Sequence, residues 1–341
     1  MSSTQDNSNR IGSVLQAYGL EAQFLEKRDC VYKVYARSGN YILKEIPAKV
    51  GLDFVRNIHF MAQKGFQRLV PVFPTLDGRY GVLDGTTLYY LMPFVMNERL
   101  EERQEKMDKM LKELARLHLL SVKEETVSKE DREHHFQVLD GEWEKENDFL
   151  ETFLKECEEE WYPSPFQLQF LTFYLDVSQA LKYARNKLEE WFEESKENEK
   201  VRTVLVHGKV NLDHFLFDEK GLGFFTSFER SVYGSPSHDL LPFIYQVVDT
   251  PMKPHEDLLF ALQSYFSHFP LKKEELLLFQ AYLAHPGKLT TVVQQYHAKE
   301  HRRNEMKYVQ RLQNSYWRLK NIEYIVMRLE EIEKQKEEQN G

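Results

Sequence analysis

Cysteine is scarce in this sequence: Cys30 and Cys157 are the only two in 341 residues. That excludes a disulfide framework and any zinc site built on cysteine. Long apolar runs are missing as well, so no membrane-spanning helix and no membrane insertion are expected. Positive charge is in deficit, with 45 Lys and Arg against 54 Asp and Glu and a net charge of −9. Bulk binding of nucleic acid needs the opposite balance, because it works by neutralising phosphates. The first ten residues are polar and unlike a secretory signal, so a soluble intracellular protein is expected. What remains is a chain with 42% hydrophobic and 13% aromatic residues, enough for well-filled cores. Its length suits one large domain or two unequal lobes.

The texture changes once along the chain. Val31–Ala36 and Tyr41–Ile46 read as strands joined by Arg37-Ser38-Gly39-Asn40, which supplies the residues a tight hairpin needs. Phe54, Ile58 and Met61 recur at helical spacing and stop near Gly65. Leu69–Pro74, Tyr80–Leu83 and Thr87–Phe94 read as further strands, the last two flanking an Asp84-Gly85 turn. After Met96 long helical patterns take over, the first beginning near Asn97 and closing on Leu111, Leu114, Leu117 and His118. Residues 123–160 are dense in Glu and Lys and predict a solvated helical insertion. Residues 166–195 predict a helix with Leu168, Leu171, Leu175, Val177, Leu181, Ala184 and Leu188 on its apolar side. Strand texture returns between Val201 and Phe228, with a hairpin around Asp218-Glu219-Lys220-Gly221. The expected division is therefore a strand-rich part over 1–95, a helical part over 96–330 and a charged tail over 331–341, frayed beyond about residue 333.

The segment Val206-His207-Gly208-Lys209-Val210-Asn211-Leu212-Asp213-His214 is the most informative. It continues through Ser227-Phe228-Glu229 to Gly234-Ser235-Pro236-Ser237-His238-Asp239-Leu240. It resembles the catalytic centre of the aminoglycoside phosphotransferase/choline kinase family, relatives of protein kinases. That family reads His-Gly-Asp, four residues, Asn, a hairpin, Asp-Phe-Glu, then Gly-x-Pro-x-x-Asp-Leu. Lys44 resembles the strand lysine that grips nucleotide phosphates, and Ala115-Arg116-Leu117-His118 the helix ending in Leu-His. The resemblance implies an α+β, protein-kinase-like two-lobed fold. It has a small β-rich N-lobe with one main helix and a large helical C-lobe with an embedded β-hairpin.

The chemistry departs from that pattern. Phosphoryl transfer is mostly positioning and charge neutralisation. Lys209 stands where the family has its base Asp, His214 where it has a metal-binding Asn, and Ser227 where it has the second metal Asp. A charged lysine donates hydrogen bonds and cannot take a proton, and Mg²⁺ favours carboxylate oxygens over His and Ser. The Glu26–Cys30 turn has no glycine to bring backbone amides to a triphosphate. The helix over 51–64 has no Glu to pair with Lys44, and Glu45 faces the other side of its strand. His207, Gly208, Phe228, Gly234, Pro236 and Asp239 survive as scaffold positions of the family. The degenerate site thus comprises His207, Lys209, His214 and Ser227, and no metal ligand is expected.

Within the family the chain resembles the CotS group of spore coat proteins, YsxE-type members. The likeness rests on Glu274–Lys288 with Val292–Tyr296, and on Gly65-Phe66 and Thr75–Tyr80. It implies an inactive structural or interaction module made in the mother-cell cytoplasm and placed in the spore coat among other coat proteins, without a cofactor. The alternative is a divergent ATP-dependent small-molecule phosphotransferase using ATP and Mg²⁺, with Asp213, Asp218 or Glu229 recruited to the metal. Neither His134-His135 nor the basic run at 299–303 has the company a metal or phosphate site needs.

Overall fold

A computed structural model describes residues 10–97, 103–249, 255–298 and 304–340. The basic run at 299–303 lies outside the described residues, as do 98–102; the first long helix, expected to begin near Asn97, is seen from Arg103, and Asn97 itself is not helical. In chain order a helix over residues 10–16 (α1) precedes β1 (Ala22–Arg28), β2 (Val31–Ala36) and β3 (Gly39–Pro47). There follow α2 (Asp53–Gln63), β4 (Val82–Asp84), β5 (Thr87–Pro93) and α3 (Arg103–Ser121). Next come β6 (Lys123–Thr126), α4 (Lys129–Glu159), α5 (Pro165–Ser195), β7 (Lys200–Val206), β8 (Phe215–Phe217), β9 (Gly223–Phe225) and β10 (Val232–Gly234). Among the described residues the helices α6 (Ser237–Val247), α7 (Glu256–His268), α8 (Lys273–Ala284), α9 (Gly287–His297) and α10 (Glu305–Asn340) follow. The chain divides into two compact units, one running to Val122 with Val204–Gly234, the other comprising Lys123–Thr203 and the residues from Ser235 onward. These units are drawn differently from a boundary at 95/96, and the β8–β9 hairpin falls with the sheet.

The first unit is built on an antiparallel sheet in the order β1-β2-β3-β5-β4. Side chains alternate across it. Tyr32, Val34, Leu43, Tyr89 and Leu91 point to one face, where Ile11, Val14, Leu15 and Tyr18 cover them. The sequence pattern missed this covering helix, α1. The other face carries Lys44 opposite Tyr90 in the β3–β5 register, and Phe54 of α2 meets the Tyr90 ring edge-on with centroids 5.2 Å apart. Leu69–Pro74 forms no strand. It makes single bridges, Leu69 to Phe225 and Phe73 to Leu91, because Pro71 and Pro74 lack the N–H that a continuous ladder needs. Arg68 O and Val70 N nevertheless bond both backbone groups of Phe225, at 2.7 and 2.9 Å, which anchors the β8–β9 hairpin. Phe94, one residue past β5, donates its N–H to Asn40 O at 3.3 Å.

The second unit is helical, with β6 and β7 paired antiparallel from Lys123 to Thr203. The charged stretch 123–160 is more than a solvated insertion. It opens with β6, and α4 buries Arg132, Trp143, Leu150, Phe153 and Cys157 along one seam. Buried Arg132 donates to Asn198 O at 2.7 Å and Lys200 O at 3.1 Å, and the Glu274 carboxylate lies 4.0 Å from its guanidinium. Helix α5 starts on a capping box, Ser164 with Gln167 and Pro165 behind it. Its buried side is Phe166, Phe170, Val177, Leu181, Ala184, Leu188 and Trp191. Leu168 and Leu175, expected inside, are more than half exposed, because the larger aromatic rings at 166 and 170 set the rotation of the helix. Helix α10 continues to Asn340, past the expected fraying point. Among the described residues no helix is long and apolar enough to cross a membrane.

Candidate functional site

The first unit brings Lys44, His207, Lys209, His214, Ser227 and Glu229 together. Strand β7 delivers His207, and the turn after it depends on Gly208, whose φ is 75°. A Cβ at Gly208 would lie 2.4 Å from Arg230 O, so this position needs glycine for conformation and for space. Fully buried His207 is held between two backbones. Its Nε2 donates to Thr226 O at 2.8 Å, which leaves Nδ1 to accept the Lys209 N–H at 3.2 Å. Buried Phe228 stands edge-on to the ring at 5.3 Å.

Each position that departs from the phosphotransferase pattern makes bonds of its own. The Lys209 side chain is exposed. His214 Nδ1 donates to Lys209 O at 2.9 Å. Burial pushes the His214 ring below its ordinary 6.5; the carbonyl bond opposes this, and the Lys209 and Lys44 charges add to it. The ring is therefore neutral near pH 7. Ser227 sits in the left-handed region at φ 64°, unusual for a residue other than glycine. Its Oγ accepts from Lys44 Nζ at 2.8 Å.

Lys44 has a carboxylate partner. Glu229 Oε1 lies 2.5 Å from Lys44 Nζ, and the two side chains are only 12% and 10% exposed. Tyr90 OH donates to the same oxygen at 2.5 Å. Burial alone would raise the Glu229 carboxyl; the Lys44 charge and the bonds from Lys44 and Tyr90 outweigh it and hold the group below its ordinary 4.5. The ion-pair partner that the helix over 51–64 does not provide is thus present on another element. The partner comes from the loop after β9. Helix α2 supplies Asn57 instead, which donates to Ser231 Oγ at 2.9 Å and ties the helix to that loop. On the opposite sheet face Glu45 meets Lys27 and the Tyr32 hydroxyl, both at 3.3 Å.

The remaining named residues have other tasks. Asp218 Oδ1 accepts from Lys220 N and Leu222 N at 2.9 and 2.8 Å, which builds the β8–β9 turn. Asp213 is exposed and within electrostatic reach of Lys106. Gly234 closes β10 against Val204. Pro236 and buried Asp239 open α6 in the second unit. His135 meets Tyr282 OH at 3.2 Å and the edge of Trp191. The β1–β2 connection is the two-residue turn Asp29-Cys30, with Asp29 at φ 50°. Among the described residues no group of three or more His, Cys, Asp and Glu side chains converges as a metal site. The donors near Lys44 are one carboxylate already shared by Lys44 and Tyr90, a hydroxyl bonded to Lys44, and a histidine bonded to its own loop. That set does not fit the magnesium–nucleotide chemistry of the family pattern.

The sequence matches the phosphotransferase enzyme family over residues 27–271. The chain belongs to that family. Its fold is similar to that of an aminoglycoside phosphotransferase from Alicyclobacillus acidocaldarius, with a TM-score of 0.67 and 13% identity over 94% of this chain and 96% of that one. A spectinomycin phosphotransferase solved with ADP and spectinomycin gives 0.53 and 9% identity over 93% and 98% of the two chains. A microcompartment-associated aminopropanol kinase gives 0.52 and 13% over 91% and 95%. At these identities the likeness concerns fold alone, and it is the kinase-like α+β fold. None of the curated proteins is significantly similar in sequence.

Sequence reading missed Tyr90 and Asn57 as parts of this phosphotransferase-like centre. A register for β3 against β5 would have exposed Tyr90. The long, proline-broken connection between those strands hides it.

Proposed function

We propose that this chain is a catalytically silent member of the phosphotransferase family that works as a structural or interaction module. The observation behind this reading is the closed cluster of Lys44, Ser227, Glu229 and Tyr90. An ammonium has three donors, and here two are engaged by Ser227 Oγ and Glu229 Oε1. With no further carboxylate or amide oxygen at 209, 214 or 227 to hold magnesium, the Glu229 charge opposes an incoming triphosphate. No cofactor is part of the proposal. Its setting is the spore coat, reached from the mother-cell cytoplasm, with other coat proteins as partners. This part rests on the similarity of residues 274–296 to the CotS group, YsxE-type members.

The test of silence is restoration. Lys209→Asp, His214→Asn and Ser227→Asp combined should begin to give magnesium-dependent ATP binding, with single changes giving little, because the ion needs several oxygens at once. If the triple variant binds no better than the unmodified chain, the three side chains are not what silences the site. A tagged chain should reach the surface of developing spores; even distribution in vegetative cells, with none on spores, would sink the coat setting. The second reading, a divergent phosphotransferase, is favoured by one feature: Lys44 remains fixed beside a carboxylate. Phosphoryl transfer from ATP by the unmodified protein would establish it.

A further inference from the structure

Helix α5 has two apolar stripes, and only one of them is used by the core. Phe166, Phe170, Val177 and Leu181 face inward. Leu168, Leu171 and Leu175 follow i, i+3, i+7 spacing, which places them within roughly 60° of one another on the far side of the helix. Leu168 and Leu175 are more than half exposed, and Leu171 is half-buried. At the N-terminal end of this stripe the α4–α5 turn presents Trp161 and Tyr162, each 85% exposed, with rings 6.4 Å apart. Isolated surface leucines need no explanation. An aromatic pair a few residues before a heptad-spaced leucine row concentrates exposed apolar side chains at one end of α5, and exposed apolar surface on this scale marks interaction surfaces.

The charge around the patch selects the occupant. Between Lys155 and Lys182 the chain carries Glu156, Glu158, Glu159, Glu160 and Asp176, and no Lys, Arg or His. Asp176 is engaged by the Tyr316 hydroxyl at 2.6 Å and Glu156 by His297 at 3.1 Å. Glu158, Glu159 and Glu160 are exposed at the end of α4 beside the aromatic pair. Glu151 and Glu158 both act electrostatically on Tyr174, on the α4-facing flank of α5. A second copy docking through this face would bring acidic rims together, which is unfavourable. We infer that the outer face of α5 with Trp161 and Tyr162 binds a basic amphipathic helix of another protein. Its apolar side would lie on the leucine row and its Lys and Arg would meet the glutamates. The inference does not depend on the silent-site reading, since an active enzyme could dock the same partner.

The probe is a synthetic leucine–lysine amphipathic helical peptide, followed by fluorescence anisotropy against the full chain, with the leucine–glutamate peptide as its counterpart. The leucine–lysine peptide should bind and weaken as salt rises, and the glutamate peptide should not bind. Leu168→Gln with Leu175→Gln should weaken binding at least about tenfold, because each exposed leucine is worth a tenfold step or more when covered. Trp161→Ala with Tyr162→Ala should act in the same direction, and Glu158→Lys with Glu159→Lys and Glu160→Lys should weaken binding and flatten its salt dependence. All these side chains are exposed, so unchanged circular dichroism and melting are expected and are measured alongside. Equal binding by the wild type and the leucine variant would overturn the inference, leaving only diffuse charge attraction. Self-association in sedimentation velocity that the leucine variant abolishes would also overturn it, assigning the face to a second copy.

Discussion

Two parts of the candidate centre depart from the phosphotransferase pattern in different ways. In the loop from His207 to His214, the histidine side chains bond mainly to backbone: His207 to Thr226 O and Lys209 N, His214 to Lys209 O. At the sheet, Lys44, Glu229, Ser227 and Tyr90 bond to one another through side chains and are largely buried. The loop is therefore a shape held by glycine and backbone, and a change of the exposed side chain at 209 should cost it little. The sheet cluster is a buried charge pair, in which a single change should be costly. Removing one partner of such a pair leaves an uncompensated charge, whereas removing both can be nearly neutral.

That contrast gives the largest expected effect. Lys44→Met or Glu229→Gln alone should each cost about 3 kcal/mol of unfolding free energy. The double variant should cost much less than the sum, since Gln still accepts from Tyr90 OH; denaturant titrations of the four proteins give the coupling. Additive costs would mean that the pair is no tighter than a surface bridge. The pH dependence has a definite sign. The Glu229 carboxyl is depressed in the folded state, so its stabilisation is fully present above pH 4.5 and is lost as pH falls through the lower folded value. In Lys44→Met burial is no longer offset, the carboxyl rises above 4.5, and the variant's deficit should shrink on acidification.

Next in size is Gly208→Ala. The left-handed φ and the approach to Arg230 O should together cost about 2 kcal/mol. A loss well below this would show that the loop can relax, and the contrast between a rigid loop frame and its replaceable side chains would fail. The smallest effect belongs to His214→Asn. The His214 ring is depressed below 6.5, so the unfolded chain takes up its proton first and stability declines as pH falls below 6.5. Replacement by Asn should flatten that slope while leaving stability at pH 8 within about 0.5 kcal/mol, the usual range for a change away from the core. An unchanged slope would place the titration elsewhere.

Much of this was legible in the residues. The β2–β3 hairpin, α2, the Asp218 turn and the order of motifs from His207 to Leu240 follow from local turn chemistry and spacing. The losses at 209, 214 and 227 are plain from residue type. What stayed hidden was long-range. The pairing of Lys44 with Glu229 depends on the loop after β9 folding back onto β3, and no local pattern encodes it. The leucines at 168, 171 and 175 suggest a different rotation of α5 from the one it has, because Phe166 and Phe170 bury more surface and turn inward. The inward seam of α4 was masked by charge, because Trp143, Leu150, Phe153 and Cys157 are spread thinly among glutamates and lysines.

The proposed silence of the centre is tested most directly by calorimetric titration of ATP into the unmodified protein, with and without magnesium. Silence requires weak or absent binding with no gain on adding magnesium, since the Lys44 ammonium faces Glu229 and Ser227 and, among the described residues, no group of three or more His, Cys, Asp and Glu side chains converges as a cation site. Tight binding that depends on magnesium, followed by release of ADP, would contradict it and make the chain a working phosphotransferase.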